Sequence, residues 1–285
     1  MNKYIDQIVS YLTGVLQSSA TQLFILFGPL LILALFLNLS ATLNARLSIR
    51  FWGRDLFLYG FVWLGCSIHE LSHAFFALIF GHKINEISLF KPNSSGDSLG
   101  HVSHSFNKKS SYQKIGNFFI GIGPLLAGGT VLFGAMFLLY EIDVTTIFKF
   151  QISTSVITNK VVFEQFLSAC WTSLLSFKDL LLPTKGAPWW KIALLIYLLY
   201  ATCSSMTLSK SDVKGALSGL MWLTIYVLIF NLLTLWIGDF AAKSLSKGML
   251  FITAFYFLLI LSFVFNVIFV AIFFLLNLLK NLFVP

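Results

Sequence analysis

The sequence predicts an all-α polytopic membrane protein, a single membrane-embedded domain over residues 1–285 with about six transmembrane helices and a small β-hairpin after the second. Three observations predict this fold class. Of the 285 residues, 58% are hydrophobic and 11% are charged, whereas soluble domains carry about 25% charged residues. The mean hydropathy is +0.86. The apolar runs are too long and too numerous for a soluble core, so the sequence excludes a soluble globular protein, a disordered chain and a secreted disulfide scaffold.

Six apolar runs are long enough to be considered as membrane spans. A bilayer core of about 30 Å requires about 20 apolar residues in a helix. The predicted spans lie at about residues 23–43, 56–80, 115–140, 192–208, 213–236 and 250–279. The N-terminal stretch Met1–Gln17 is polar enough to lie at an interface. Segment 163–182 contains Glu164, Lys178 and Asp179, so it is predicted to be an interfacial helix and not a seventh span.

The net charge of +8 does not predict a nucleic-acid partner, because the basic residues are scattered through short loops without an aromatic-interleaved patch. In membrane proteins, Lys and Arg gather at helix ends and set the orientation. The loop Ala45–Arg54 contains all three arginines and favours a cytoplasmic location. The next loop carries a comparable set of lysines, Lys83, Lys91, Lys108, Lys109 and Lys114. The two loops nearly balance, so the orientation stays open.

The second predicted span contains the motif with the clearest chemistry, HExxH, formed by His69, Glu70 and His73. Ionisable residues inside a span are costly and usually mark function. Positions i and i+4 share a helix face, so the two histidines can direct ring nitrogens at one metal ion. Glu70 lies about 100° round the helix and is poorly placed as a third ligand, but it can reach a water at the ion. This pattern is typical of a zinc hydrolase.

A simpler interpretation of the motif is a pair of polar residues that bridge neighbouring helices. It does not explain two His and one Glu at catalytic spacing in the middle of a span. We therefore predict that His69 and His73 bind Zn²⁺ and that Glu70 is the catalytic general base.

The run HELSHAFFALIFGHKINEISLF, residues 69–90, resembles the signature of the site-2 protease family of intramembrane zinc metalloproteases. In that family a glycine follows HExxH by about eight residues, and Gly81 fills this place. A second family motif is a Gly-Pro pair in the next span. The stretch GIGPLLAGG is similar to it, with Gly123 and Pro124 as the matching pair. The resemblance implies an intramembrane endopeptidase whose Gly-Pro pair contacts the substrate.

The resemblance also implies a third zinc ligand, an aspartate near the start of a later helix. Asp212, beside the N-terminus of the fifth predicted span, matches best, and Glu164 and Asp239 are weaker candidates. A different interpretation makes Asp212 an N-cap, a role that Ser209 or Ser211 could also take. The chain departs from the family at two places: Ala127 stands where an Asn is frequent, and two residues separate Asp212 from the following glycine.

The loop 81–114 is predicted to form a β-hairpin, because β-favouring residues flank a stretch rich in turn residues, Pro92–Asp97. Its edge could pair with a substrate as an added strand, a hypothesis that deletion of the hairpin and a cleavage assay would test. His101 and His104 have HxxH spacing, but loop histidines are more often solvated than metal-bound. His82, next to Gly81, is expected to be a helix C-terminal residue favoured by the dipole.

The predicted function is therefore hydrolysis of peptide bonds within or near transmembrane segments, with a membrane protein or peptide as substrate. The lipid bilayer is the second expected partner, and a regulatory membrane protein is a further one. The alternative is a catalytically inactive protease-like protein that binds partners with zinc as a structural clamp. A transporter is disfavoured because no internal repeat is found. High Lys and Phe usage indicates a bacterial cytoplasmic membrane.

Overall fold

The computed structural model describes residues 3–92, 99–140, 188–238 and 240–283, together with residues 168, 171, 172 and 175. The described helices are α1 (Lys3–Trp52), α2 (Arg54–Phe57), α3 (Trp63–Ile79), α4 (Ser111–Tyr140), α5 (Trp189–Cys203), α6 (Lys210–Thr234) and α7 (Phe240–Phe283). A π-helical turn, Leu58–Val62, joins α2 to α3. Two strands, β1 (Lys83–Ser88) and β2 (His101–Ser105), lie between α3 and α4.

Five helical segments are long and apolar enough to cross a membrane: α1, the continuous stretch Arg54–Ile79, α4, α6 and α7. The predicted class, an all-α integral membrane protein, is confirmed at this level. Helix α5 has 15 residues, about 22 Å of helix, and falls short of a ~30 Å bilayer core. The sixth crossing therefore stays a prediction. Most of the predicted interfacial helix at 163–182 lies outside the described residues, as do the candidates Glu164 and Asp239.

Helix α1 is much longer than the predicted first span, because it runs without interruption for 50 residues, about 75 Å. The stretch predicted to lie at an interface is its N-terminal part. Hydropathy locates the apolar portion of a helix and not its ends. The helix ends at Gly53, whose φ of +83° suits glycine and whose N–H bonds the Ile49 carbonyl at 2.9 Å.

Helices α1 and α7 pack as a parallel pair, because Tyr256 contacts Leu26 and, further along both helices, Asn277 contacts Leu47. Beside this pair, α4 contacts both α3 and α6. The main core joins α1, α4, α5 and α7, with Leu37, Leu125, Leu132 and Leu259 wholly buried. A buried amide pair also links α1 to α7, since Asn44 Nδ2 donates to Asn266 Oδ1 at 3.3 Å. Interhelical hydrogen bonds of this kind stabilise helix packing in lipid, where the hydrophobic effect does not drive helices together.

The predicted hairpin is confirmed. β1 and β2 are antiparallel, with Lys83 opposite Ser105 and Ser88 opposite His101, and one irregularity in register after Ile84. Gly81 ends the preceding helix with a φ of +69°, and this left-handed residue turns the chain back towards α3. As a result, the hairpin lies beside the helix that carries HExxH.

Candidate metal centre

Helix α3 presents His69 and His73 on one face, as the i, i+4 spacing predicts, with ring centroids 4.9 Å apart. Asp212, from the first turn of α6, approaches both rings. His69 Nε2 lies 3.7 Å from Asp212 Oδ2, and His73 Nε2 lies 3.4 Å from Asp212 Oδ1. All three side chains are largely buried. The structure therefore brings together the three residues that the sequence predicts as metal ligands.

The other nitrogen of each ring contacts a backbone carbonyl. His69 Nδ1 lies 3.0 Å from the Ser205 carbonyl, just beyond the end of α5, and His73 Nδ1 lies 2.7 Å from the Ile120 carbonyl of α4. A carbonyl can only accept a hydrogen bond, so each Nδ1 must carry the proton. The lone pair of each neutral ring is then on Nε2, which faces Asp212. Such outer contacts typically orient metal-binding histidines.

Asp212 is oriented by the start of its own helix. Ser209 is the N-cap of α6, and the two residues form a reciprocal capping box. The Ser209 N–H donates to Asp212 Oδ2 at 2.7 Å, and the Asp212 N–H donates to Ser209 Oγ at 3.1 Å. Ser209, and not Asp212, is therefore the N-cap, and the capping box leaves Oδ1 directed at His73.

The spacing of the polar atoms is compatible with metal ligands. In a tetrahedral zinc site with bonds of about 2.0–2.1 Å, neighbouring ligand atoms lie about 3.3 Å apart. The two N···O distances, 3.4 and 3.7 Å, approach this value and exceed the about 2.7–2.9 Å of a charge-assisted hydrogen bond. All three candidate atoms lie within 4.8 Å of one another. The group could hold a metal ion.

No family model, curated protein or solved structure matches this chain. The resemblance to the site-2 proteases therefore rests on the motifs of the sequence. The function has to be inferred from the residues that the fold brings together.

A cavity of about 660 Å³ contains the three candidate ligands together with Glu70, which is 7% exposed. It lies between α3, α4, the start of α6 and the hairpin. The residues that α1 through α3 contribute are mostly apolar, and include Ala45, Ile49, Phe57, Leu58 and Val62. The segment after α5 and the first turn of α6 contribute hydroxyl groups instead, from Ser204, Ser205, Thr207, Ser209 and Ser211. The centre is thus accessible from a cleft with both apolar and polar walls.

Two glycines allow the backbone to approach the centre closely. A Cβ on Gly100 would lie 2.7 Å from Glu70 Cγ and 2.7 Å from the Leu89 carbonyl. A Cβ on Gly65, one turn before His69, would collide with the Ala201 carbonyl and with Ser205 Oγ. Gly100 therefore lets the hairpin lie against the predicted general base. Gly65 lets the end of α5 reach His69.

The predicted substrate contacts, Gly123 and Pro124, do not line this cavity. Among the described residues of α4, those that line it are Asn117, Ile120 and Gly121. A Cβ on Gly123 would lie 3.1 Å from Ser72 Oγ and from Phe76, so this glycine packs α4 against α3. A substrate-binding role for the Gly-Pro pair stays a prediction.

Among the described residues, the loop histidines do not belong to a cluster of three candidate metal ligands. In the part of the chain that the structure describes, the group of His69, His73 and Asp212 is the one cluster of three or more His, Cys, Asp or Glu close enough for an ion. His101 pairs with Glu86 at 3.3 Å. His104 lies three residues along β2, and side chains at odd separations point to opposite faces of a strand.

His82 is not simply a helix-terminal residue, because it is buried between the hairpin and α4. Its Nε2 donates to the Gln113 carbonyl at 2.8 Å, and its Nδ1 lies 3.0 Å from His104 Nδ1. The Phe106 ring stacks on it at 5.0 Å. Burial lowers the pKa of His82. Burial also lowers the pKa of His104, and the neighbouring His82 lowers it further. The pair holds the hairpin to the ends of two helices.

Proposed function

We propose that this protein is an intramembrane zinc metalloprotease that hydrolyses peptide bonds within or near the transmembrane segments of membrane proteins, in the cytoplasmic membrane of a bacterium. The observation that carries this proposal is the convergence of His69 Nε2, His73 Nε2 and the Asp212 carboxylate in a cavity that also contains Glu70. The helices that supply these residues belong to segments apolar enough to span a bilayer. The resemblance to the site-2 proteases supports the same activity.

His69, His73 and Asp212 are the residues that would hold the zinc ion. Two imidazoles and one carboxylate form a donor set that zinc accepts, and catalytic zinc sites have three protein ligands with one position open. A zinc ion in such a site supplies Lewis-acid chemistry, because it acidifies a water and polarises a carbonyl. The protein's own contribution to ligation is to fix both imidazole tautomers through the Ser205 and Ile120 carbonyls.

Glu70 is the residue best placed to move protons. No described residue donates a hydrogen bond to its carboxylate, so its lone pairs are available to a water molecule in the cavity. Glu70 takes the proton from the attacking water and passes it to the leaving amine, the usual division of general base and general acid work. A structural metal site would have no use for this carboxylate, which weighs against the inactive alternative.

The substrate that suits this cleft is a locally unwound segment of a transmembrane helix. A peptide carbonyl inside an intact helix is already hydrogen-bonded and shielded. Residues Leu99–Val102 of the hairpin line the cavity, and an edge strand can pair with an extended peptide. These contacts support the hypothesis that the hairpin receives the substrate. A regulatory membrane protein could contribute specificity, since the cleft lining alone is chemically mixed.

The test of the proposal is Glu70→Gln, with Asp55→Asn as the control, because Asp55 is an exposed carboxylate of α2 that does not line the cavity. Purified full-length protein is assayed for zinc and for cleavage of a quenched-fluorescent library of apolar transmembrane peptides. We expect Glu70→Gln to retain about one zinc per chain and to lose about 10²–10⁴-fold in cleavage rate. Asp55→Asn should cleave like the wild type. Unchanged cleavage by Glu70→Gln would exclude the proposed mechanism, and a wild type that binds zinc without cleaving any peptide would favour the structural clamp.

A further inference from the structure

The carbonyl that orients His73 lies in the middle of a helix, where carbonyls are normally occupied. In an α-helix, the carbonyl of residue i accepts the N–H of residue i+4. Ile120 is in the interior of α4, so its carbonyl would be used by residue 124. Residue 124 is a proline, which has no N–H. The Ile120 carbonyl therefore has no partner at i+4, and His73 Nδ1 lies 2.7 Å from it.

We propose that Pro124 is a positioning residue of the metal centre. By withholding its N–H, Pro124 keeps the Ile120 carbonyl available for the Nδ1–H of His73, and this bond holds the tautomer whose Nε2 faces Asp212. The inference rests on the metal site of the proposed function. It assigns Pro124 an indirect role through His73, since Pro124 does not itself line the cavity among the described residues.

The size of the effect follows from the chemistry of the acceptor. A carbonyl oxygen has two lone pairs, so a restored N–H at position 124 would compete with His73 and would not exclude it. Removing an outer-sphere partner typically weakens metal binding about 10–100-fold. Because the competition is partial, a loss near the lower end, about tenfold, is expected on restoring the N–H.

Helix α1 also contains an internal proline, which lies away from the candidate metal centre and provides a matched control. Pro29 lies inside α1 and leaves the Ile25 carbonyl without its usual partner. The Tyr256 hydroxyl lies 3.4 Å from that carbonyl and 2.6 Å from the carbonyl of Leu26. Pro29→Ala and Pro124→Ala are therefore equivalent changes in helix chemistry, but only the second concerns a carbonyl bonded to a candidate metal ligand.

A purely structural role for Pro124 predicts a different outcome. Alanine is a far better helix former than proline. If Pro124 only shaped the helix, Pro124→Ala would leave the bond between Ile120 and His73 intact and the metal affinity unchanged. A kink that the proline ring could introduce into α4 is a second way in which Pro124 could affect the position of Ile120. It can be separated from the missing N–H by replacing residue 124 with lactic acid, the ester analogue of alanine, which lacks both the N–H and the proline ring.

The experiment compares full-length wild type, Pro124→Ala, Pro29→Ala, Asp212→Ala and the ester analogue at position 124, all purified in detergent. Cobalt(II) is the probe, with affinity measured by chelator competition and coordination followed by the visible absorption band. We expect Pro124→Ala to bind cobalt about tenfold more weakly and with an altered band. Pro29→Ala and the ester analogue should remain within about twofold of the wild type on the same scale.

Wild-type affinity in Pro124→Ala, beside a large loss in Asp212→Ala, would overturn the inference and leave the metal site standing. A loss shared by Pro124→Ala and the ester analogue would assign the effect to the ring or the kink, and would also overturn it. If Pro124→Ala does not fold, the ester analogue decides, because weak binding there contradicts the proposal and wild-type binding supports it. A well-folded wild type that binds no cobalt would refute the proposed function itself.

Discussion

Asp212 makes two separable contributions, and replacing it tests the metal centre. Asp212→Ala removes the carboxylate that faces both histidines and also removes the acceptor for the Ser209 N–H. Ser209→Ala removes the other capping bond, from the Asp212 N–H to Ser209 Oγ, and leaves the carboxylate in place. The two variants therefore lose one capping bond each, and they differ in the candidate ligand.

The expected free energies follow from these contacts. Loss of a helix cap costs about 1 kcal/mol, so both variants should be destabilised about equally without metal. With zinc at about 100 times its Kd, binding stabilises the wild type by about 2.7 kcal/mol. If removal of the carboxylate weakens binding about 100-fold, the stabilisation falls to about 0.4 kcal/mol at the same zinc concentration. Asp212→Ala should thus lose roughly 2 kcal/mol more of zinc-dependent stability than Ser209→Ala.

The assay is zinc content after gel filtration, combined with thermal unfolding in detergent with and without added zinc. We expect about one zinc per chain in the wild type and in Ser209→Ala, and a large loss in Asp212→Ala. Retention of one zinc by Asp212→Ala, with the same zinc-dependent stabilisation as Ser209→Ala, would refute the ligand assignment and move the third ligand elsewhere.

Two further predictions concern contacts around the centre. Gly65→Ala places a Cβ against the Ala201 carbonyl and Ser205 Oγ, so we expect the free energy of unfolding to fall by about 1–3 kcal/mol and zinc binding to weaken. Gly134→Ala is the control, because a Cβ there meets nothing within 4 Å, and it should be neutral or stabilising. Equal zinc affinity in the two variants would contradict a role for the close approach at Gly65. The second prediction concerns the pH dependence of stability. The pKa values of His82 and His104 in the folded protein lie below their usual range. Between those folded-state pKa values and about 6.5, the unfolded chain binds more protons than the folded chain, so stability falls as the pH drops. Thermal unfolding from pH 7.5 to 5.5 should therefore show a smaller loss for His104→Asn than for the wild type, and identical pH profiles would contradict this interpretation.

The membrane class and the hairpin could be predicted because they depend on local composition. An apolar run of about 20 residues spans a bilayer whatever its neighbours are, and a turn-rich stretch between β-favouring residues forms a hairpin. The limits of α1 were not predictable in this way, because its N-terminal part is helical without being a continuous apolar run. The pairing of His82 with His104 was also missed, since no sequence pattern distinguishes it from two solvated loop histidines.

The residues that orient the candidate ligands had almost no signal in the sequence. Ser205 and Ile120 act through their carbonyls, and every residue has a carbonyl. The only available hint was Pro124, whose missing N–H marks the carbonyl four residues earlier. The roles of Gly65 and Gly100 were also not predictable, because the sequence does not show which residues pack against a glycine.

The sequence by itself determined the pair of histidines and the position of Glu70 beside them, because i and i+4 lie on one face of any helix. It could not decide between Asp212 as a ligand and Asp212 as part of a helix cap, because Asp212 lies 139 positions after His73 and the sequence does not show that the two residues are close in space. The tertiary structure gives Asp212 both surroundings, because it keeps the capping box and also packs α6 against α4 and α4 against α3. That packing brings the capping-box carboxylate to 3.4 and 3.7 Å from the two rings, a proximity that exists only after the helices have assembled.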